Sequence, residues 1–171
     1  MEIDLGEFKI RNWTTGDEAA LTKYANNRRI WINLRDTFPY PYTEKDARAW
    51  IRQATGQTPE TSFAIALPEE AIGGIGIRLQ EDVFRRTAEI GYWLGEPFWG
   101  RGIATRAVKT FSECAFMHFD LARLQAGVFA WNSASARVLE KAGYTCEGRL
   151  RKNVIKDEKM TDWLVYARLR T

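Results

Sequence analysis

Residues 87–105 place a strand, a glycine turn and a helix in immediate succession, and this succession narrows the available folds more than any other stretch. Thr87-Ala88-Glu89-Ile90-Gly91-Tyr92-Trp93-Leu94 has the β-branched and aromatic enrichment of a strand. Phe98-Trp99-Gly100-Arg101-Gly102 follows, and then Ile103, Ala107, Phe111 and Cys114 recur at helical spacing, with Ala104, Val108 and Ala115 beside them. Two glycines let the backbone curl and approach a ligand closely. The first helical turn, Ile103-Ala104-Thr105, then offers unpaired N–H groups to an anion, and Arg101 adds a charge that pairs with phosphate. The pattern reads as a diphosphate cradle or, alternatively, as a plain helix cap.

A second strand, Arg123 to Ala130, alternates Leu124, Ala126, Val128 and Ala130 against Arg123, Gln125, Gly127 and Phe129. A short helix is expected over Ser133–Ala142, with Asn132 as its N-cap and Gly143 as its left-handed terminator. Strand, helix and strand form a βαβ unit, expected to be parallel and right-handed. Both strand ends then point to the sheet edge where ligands of open α/β sheets sit, with the glycine turn and Asn132 facing across the crevice.

Three runs in this order resemble the GNAT superfamily of acyl-CoA-dependent N-acetyltransferases: Ala88 to Leu94, then Trp99-Gly100-Arg101-Gly102-Ile103-Ala104-Thr105, then Asn132-x-x-Ser135-x-x-x-Leu139-Glu140-Lys141-x-Gly143-Tyr144. Asn33-Leu34-Arg35-Asp36-Thr37-Phe38-Pro39-Tyr40-Pro41-Tyr42-Thr43 and Glu147-Gly148-Arg149-Leu150-Arg151-Lys152 are similar, more narrowly, to the branch that acetylates ribosomal-protein N-termini. The resemblance implies an α+β fold: a central mixed, mostly antiparallel sheet of six to seven strands with one splayed parallel pair, flanked by about four helices. It implies that acetyl-CoA is the cosubstrate, its pyrophosphate on the glycine turn and its pantetheine between the splayed strands. The residues expected to hold it are Tyr92, Trp93, Leu94, Gly100, Arg101, Gly102, Ile103, Ala104, Thr105, Asn132 and Ser135. The acceptor is expected to be a primary amine, foremost a protein or peptide N-terminus. Polyamines, amino-sugar antibiotics and amino acids are the alternatives.

Two positions depart from the superfamily pattern. Trp99 stands where Gln or Arg is usual, which removes one side-chain contact to phosphate. Leu139 stands where many members carry a tyrosine that protonates the leaving thiolate, which leaves Ser135 or water for that role. Glu89, the carboxylate on the strand leading to the cradle, reads either as the general base or as a hydrogen-bonded strand residue.

The N-terminal third has a different task. Phe8 to Arg11 reads as a strand, Thr15 as the cap of a helix over 17–26, and Thr43 as the cap of a helix over 44–54. Between the helices, Pro39 and Pro41 stiffen a segment that presents Phe38, Tyr40 and Tyr42 with Arg35 and Asp36 alongside. It reads as an acceptor-pocket wall, with Asp36 pairing to the cationic amine or serving as a local cap or ion-pair partner of Arg35, or else as ordinary core closure. Ser62–Leu67 and Ala71–Leu79 form a hairpin through Pro68-Glu69-Glu70. Gly73-Gly74-Ile75-Gly76 has no helix behind it and reads as a bulge or close backbone contact. A last hairpin joins Val154-Ile155 to Trp163–Tyr166.

The 171 residues, 45% of them hydrophobic, suit a single domain over 1–171. The net charge of +3, with basic residues scattered among 22 acidic ones, gives nucleic-acid binding little support. The chain has neither a signal-like apolar start nor a run of about 18 apolar residues, so no membrane association and a cytoplasmic location are expected, as a monomer or homodimer. Cys114 and Cys146 read as buried apolar residues and no metal-ligand spacing occurs. His118 reads as a favourable charge at a helix end. A dinucleotide fold is the competing class, but Thr105 replaces its third glycine and Asp120 precedes the second strand. A domain that binds acyl-CoA without transferring it is a third.

Overall fold

The computed structural model describes residues 2–171. In chain order it contains β1 (Glu2–Asp4), β2 (Lys9–Arg11), α1 (Glu18–Ala25), α2 (Arg28–Trp31), α3 (Glu44–Gly56), β3 (Ser62–Ala66), β4 (Ala71–Leu79), β5 (Thr87–Leu94), α4 (Ile103–His118), β6 (Arg123–Phe129), α5 (Ser133–Lys141), β7 (Thr145–Lys156) and β8 (Lys159–Leu169). The strands form one eight-stranded sheet in the order β1-β2-β3-β4-β5-β6-β8-β7. The β5–β6 pair is parallel, registered Thr87↔Arg123, Ala88↔Leu124 and Glu89↔Gln125, as the βαβ reading required. The sheet has one strand more than the upper expectation. The three-residue β1 is too short to show any alternation, and it pairs antiparallel with β2. A fifth helix, α2, is a single turn that no periodicity announces.

Two compact units can be distinguished: Met1–Gly76 with Tyr92–Ala107, and Ile77–Gly91 with Val108–Thr171. The first is built around Trp13, Leu21, Ala25, Tyr42, Ala47, Ile51, Ala54, Ala64 and Ala71, with Phe38 and Trp93 packed against them. Thr43 caps α3 as its sequence implied: its Oγ1 accepts from the Asp46 amide at 3.3 Å, and Asp46 accepts from the Thr43 amide at 2.8 Å. The cap of the first helix is corrected: α1 opens at Glu18 with Asp17 as its N-cap, and before it Thr14, not Thr15, caps a 3-10 turn over Thr15–Asp17. The Asp17 carboxylate accepts from the Thr14 amide, which sets the start of that turn.

The Gly73–Gly76 run has the expected structural task. A β-carbon on Gly73 would lie 2.4 Å from the Trp93 carbonyl oxygen, and one on Gly74 would lie 2.7 Å from the Trp93 indole nitrogen. Bare backbone lets Trp93 seat against β4. Where Ile65 pairs with Gly73 and Ala66 with Ala71, the register skips Ile72, which places a bulge on β4 beside this run.

In the second unit, β8 lies between β6 and β7, and the β7–β8 hairpin closes with Lys156↔Lys159. It is much longer than its apolar residues suggested, because most of β7 is exposed and carries no burial pattern. Leu124, Ala126 and Val128 point into the core from β6, as their alternation indicated.

Candidate functional site

The first unit carries the glycine turn. After β5, the Gly95 amide donates to the Ile72 carbonyl at 2.7 Å, and a 3-10 turn over Glu96–Phe98 reverses the chain. Gly100 and Gly102 take φ values of +75° and +76°, a region costly for residues with a side chain, so both glycines are required by conformation. The helix starts at Ile103, and Arg106 donates to the Gly102 carbonyl at 3.1 Å. The amides of Ile103, Ala104 and Thr105 have no i−4 carbonyl within the helix. These amides lie at the positive end of the α4 dipole, beside the exposed Arg101.

Trp99 has a job the sequence did not disclose. Its indole Nε1–H donates to the carbonyl of Leu94, the last residue of β5, at 2.7 Å. The departure from Gln or Arg therefore exchanges a side-chain donor for a pin between strand end and turn. The Arg29 guanidinium lies 5.4 Å from the Trp99 ring centroid.

The 33–42 segment belongs to the same unit. Phe38 sits 5.0 Å from Tyr42 and 5.9 Å from Trp93, ring centroid to ring centroid, and both Phe38 and Trp93 pack against the core of this unit. Tyr40 turns outward and packs at a tilt against Trp31, ring centroids 5.6 Å apart. Arg35 and Asp36 are exposed, while Tyr42 is core, its phenol pushed well above its ordinary pKa by burial and by the charge of Asp46. The segment thus divides into a core half and an outward half.

The second unit carries the remaining candidates. Glu89 is four-fifths buried and its Oε2 accepts from the Arg78 guanidinium at 2.5 Å, a partner on β4 that nothing in the sequence had identified. Asn132 caps α5, its Oδ1 accepting from the Ser135 amide at 3.1 Å, which brings these two candidates together. Gly143 is left-handed at φ +89°, as expected of a terminator. Leu139 is fully buried. The phenols nearest to it in sequence are engaged elsewhere. Tyr144 shares a hydrogen bond of 2.7 Å with Ser112, and burial pushes its pKa up to about 12. Tyr166 donates to Glu140 at 3.1 Å, and burial, with Glu140, pushes it up to about 12 as well.

The cysteine reading needs correction: Cys114 on α4 is half-buried, and Cys146 is exposed because the edge strand β7 leaves its side chains to solvent. Both are free thiols. His118 Nδ1 lies 2.8 Å from the Cys114 carbonyl oxygen, a contact within the last turn of α4. Asp120 pairs with Arg86. Among the described residues no group of three or more His, Cys, Asp or Glu side chains is placed to hold a metal, and no helix is long and apolar enough to cross a membrane.

Comparison with known proteins supplies the name for this arrangement. The model of the acetyltransferase (GNAT) domain matches residues 7–145. A 69-residue stretch is 49% identical to the probable N-acetyltransferase YjcK of Bacillus subtilis (strain 168), and covers 40% of this chain and 38% of that protein. The ribosomal-protein-serine acetyltransferase of Escherichia coli (strain K12) is 31% identical over 146 residues, which are 82% of this chain and 80% of that one. RimL, a ribosomal L7/L12 α-N-protein acetyltransferase solved in complex with coenzyme A, has the same fold: TM-score 0.87 at 21% identity, covering 99% of this chain and 98% of that one. A strand that ends on a pinned carbonyl, two glycines that must be left-handed, and a helix N-terminus behind them are thus the local form of a domain match spanning most of the sequence, and the chain belongs to the GNAT family of acetyl-CoA-dependent N-acetyltransferases.

Proposed function

We propose that the protein acetylates the α-amine of a peptide or protein N-terminus, with acetyl-CoA held on the turn from Gly100 to Thr105. The observation that carries the cosubstrate half is the pair of left-handed glycines placing three amides and Arg101 at the start of α4. In this reading Asn132 hydrogen-bonds a pantetheine amide. A backbone N–H within Tyr92–Leu94 donates to the oxyanion that forms when the amine attacks the thioester carbonyl, a contact worth roughly 3 kcal/mol in other enzymes. Collapse of that intermediate breaks the carbon–sulfur bond, and the thiolate takes a proton from Ser135 or from water, since Leu139 has none to give.

Physical chemistry favours an α-amine over a lysine side chain. At pH 7 a lysine of pKa about 10.4 costs about 4.6 kcal/mol to deprotonate, whereas an α-amino group near 8 costs only about 1.4. The family match and the two ribosomal-protein acetyltransferases among the similar proteins support the same class of acceptor. Phe38 of the segment from Asn33 to Tyr42 supplies an apolar wall together with Trp93 of β5, and the outward Arg35, Asp36 and Tyr40 of the segment meet the acceptor. Glu89 accepts the amine proton, directly or through water.

An acceptor panel tests the proposal: peptides with free or blocked α-amines, free lysine, a polyamine and an aminoglycoside, each with acetyl-CoA and read by thiol release. The expected outcome is turnover with free N-termini and none when the terminus is blocked. Faster turnover with the polyamine or the aminoglycoside replaces the peptide reading with a small-molecule one.

A further inference from the structure

The helix α2 is four residues long, a single turn. Helix formation has a costly nucleus, so one turn does not hold its place on propensity and must be fixed by contacts from outside. Those contacts converge on Glu96, which lies in the 3-10 turn between β5 and the glycine cradle. One oxygen of Glu96 accepts from Asn27 Nδ2 at 2.7 Å, and the other pairs with the Arg29 guanidinium. Asn27 is also the N-cap of α2, its Oδ1 accepting from the Arg29 amide at 2.8 Å. Both oxygens of a single carboxylate are thus spent on the start of a single helical turn.

What this turn carries makes the contact more than local. Trp31, at its end, is the ring against which the outward Tyr40 packs. The far end of the same segment returns to the neighbouring asparagine, where the Tyr42 amide donates to Asn26 Oδ1 at 3.0 Å. The 33–42 segment is therefore held at both ends by Asn26 and by the α2 turn. On the other side, Arg29 lies over Trp99, whose indole grips the last carbonyl of β5. Stability is a poor explanation for this arrangement. The Arg29 side chain is 70% exposed, and ion pairs so open to solvent contribute little.

We propose that Glu96 is a positioning residue that sets the 33–42 segment in register with the end of β5, and so holds the acceptor amine on line with the acetyl carbonyl. The proposal rests on the reading of 33–42 as the acceptor segment. Glu96 touches neither substrate. It acts through Asn27 and Arg29 on α2, and through α2 on Tyr40.

The test uses Glu96→Ala, Asn27→Ala, the double variant and Tyr40→Ala, with acceptor KM and kcat, acetyl-CoA Kd by calorimetry, and Tm for each. Glu96→Ala is expected to raise acceptor KM about tenfold and to lower kcat as well, with acetyl-CoA Kd within about twofold of the parent, since a displaced segment both loses hold of the acceptor and misaligns its amine. The Glu96–Asn27 contact is already absent once either residue is changed, so the effects of Glu96→Ala and Asn27→Ala on acceptor KM are expected to be less than additive, the double variant exceeding Glu96→Ala only by the loss of the α2 cap. Glu96→Gln, which keeps an oxygen for Asn27, is expected to recover part of the loss. The proposal is overturned if acceptor KM stays at the parent value in Glu96→Ala while Tyr40→Ala shifts it. It is also overturned if acceptor KM and acetyl-CoA Kd move by the same factor together with a drop in Tm, the mark of a merely structural role. Should Tyr40→Ala itself leave acceptor KM unmoved, the acceptor-segment reading fails first and takes the Glu96 proposal with it.

Discussion

Asp17 shows how one side chain can organise an entrance to the fold. Its carboxylate is almost wholly buried and accepts two hydrogen bonds of 2.8 Å from Arg11 and one of 2.9 Å from the Thr14 amide. Burial alone pushes its pKa up, but the Arg11 and Thr14 hydrogen bonds outweigh this and hold it below the usual carboxylate value. Its folded pKa lies below the unfolded value of about 3.9, so the stabilisation is complete above that pH and is lost as pH falls through the folded pKa. Asp17→Asn leaves the Arg11 charge without its partner and is expected to cost about 3 kcal/mol at pH 7, lowering Tm by roughly 6–12 °C. Thermal melts from pH 7 down to about pH 3 check this, with the gap to the parent narrowing in acid as the parent's carboxyl protonates. Equal melting at pH 7 rejects the assignment.

Glu89 sits beside the same kind of partner but is proposed for chemistry. The Arg78 guanidinium fixes its carboxylate at the end of the parallel register. Glu89→Gln is expected to lower kcat about a hundredfold and flatten the acid limb of its pH profile, since positioned bases contribute at least that much in other enzymes. A profile identical in shape and height to the parent's assigns the pair to structure alone.

At the scale of elements, capping chemistry was the most legible signal. Thr43, Asn132 and Gly143 stand where a helix must start or stop, because the backbone groups they satisfy or the φ they adopt are local to a few residues. The same locality explains the misplaced cap at Thr15: two adjacent threonines offer the same oxygen, and the Asp17 hydrogen bond makes Thr14 the cap of the 3-10 turn before α1. The turn of the β7–β8 hairpin carries the opposite message. Asp157 and Glu158 occupy its two central positions with φ of 51° and 61°, a two-residue turn that asparagine and glycine make more readily. Asp157→Asn with Glu158→Gly is expected to stabilise the protein by about 1 kcal/mol, a Tm rise of roughly 2–4 °C. An unchanged or lower melting point shows that the side chains of this turn, and not its backbone, are what matter there.

At the scale of the molecule, the βαβ unit, the parallel β5–β6 pair and the glycine turn all followed from residues 87–130, because period, turn chemistry and connection handedness are set by neighbours in sequence. The acetyltransferase family was legible for the same reason: its signature runs lie inside those elements, and the domain match covers them. What stayed hidden joins residues far apart in the chain. Glu96 meets Asn27 and Arg29 about 70 residues away, and neither partner carries a local mark of the other. Gly74 lies nearer, yet what makes its bare backbone necessary is the indole of Trp93 on the next strand, which no local pattern around it announces. Leu139, which stands where many family members carry a tyrosine, is fully buried, whereas Tyr40 of the acceptor segment faces outward, and only the packing of the elements decides either outcome. Local backbone chemistry is written into consecutive residues and can be read there. Which side chain meets which across the fold depends on how the elements pack, and packing exists only once the chain has closed on itself.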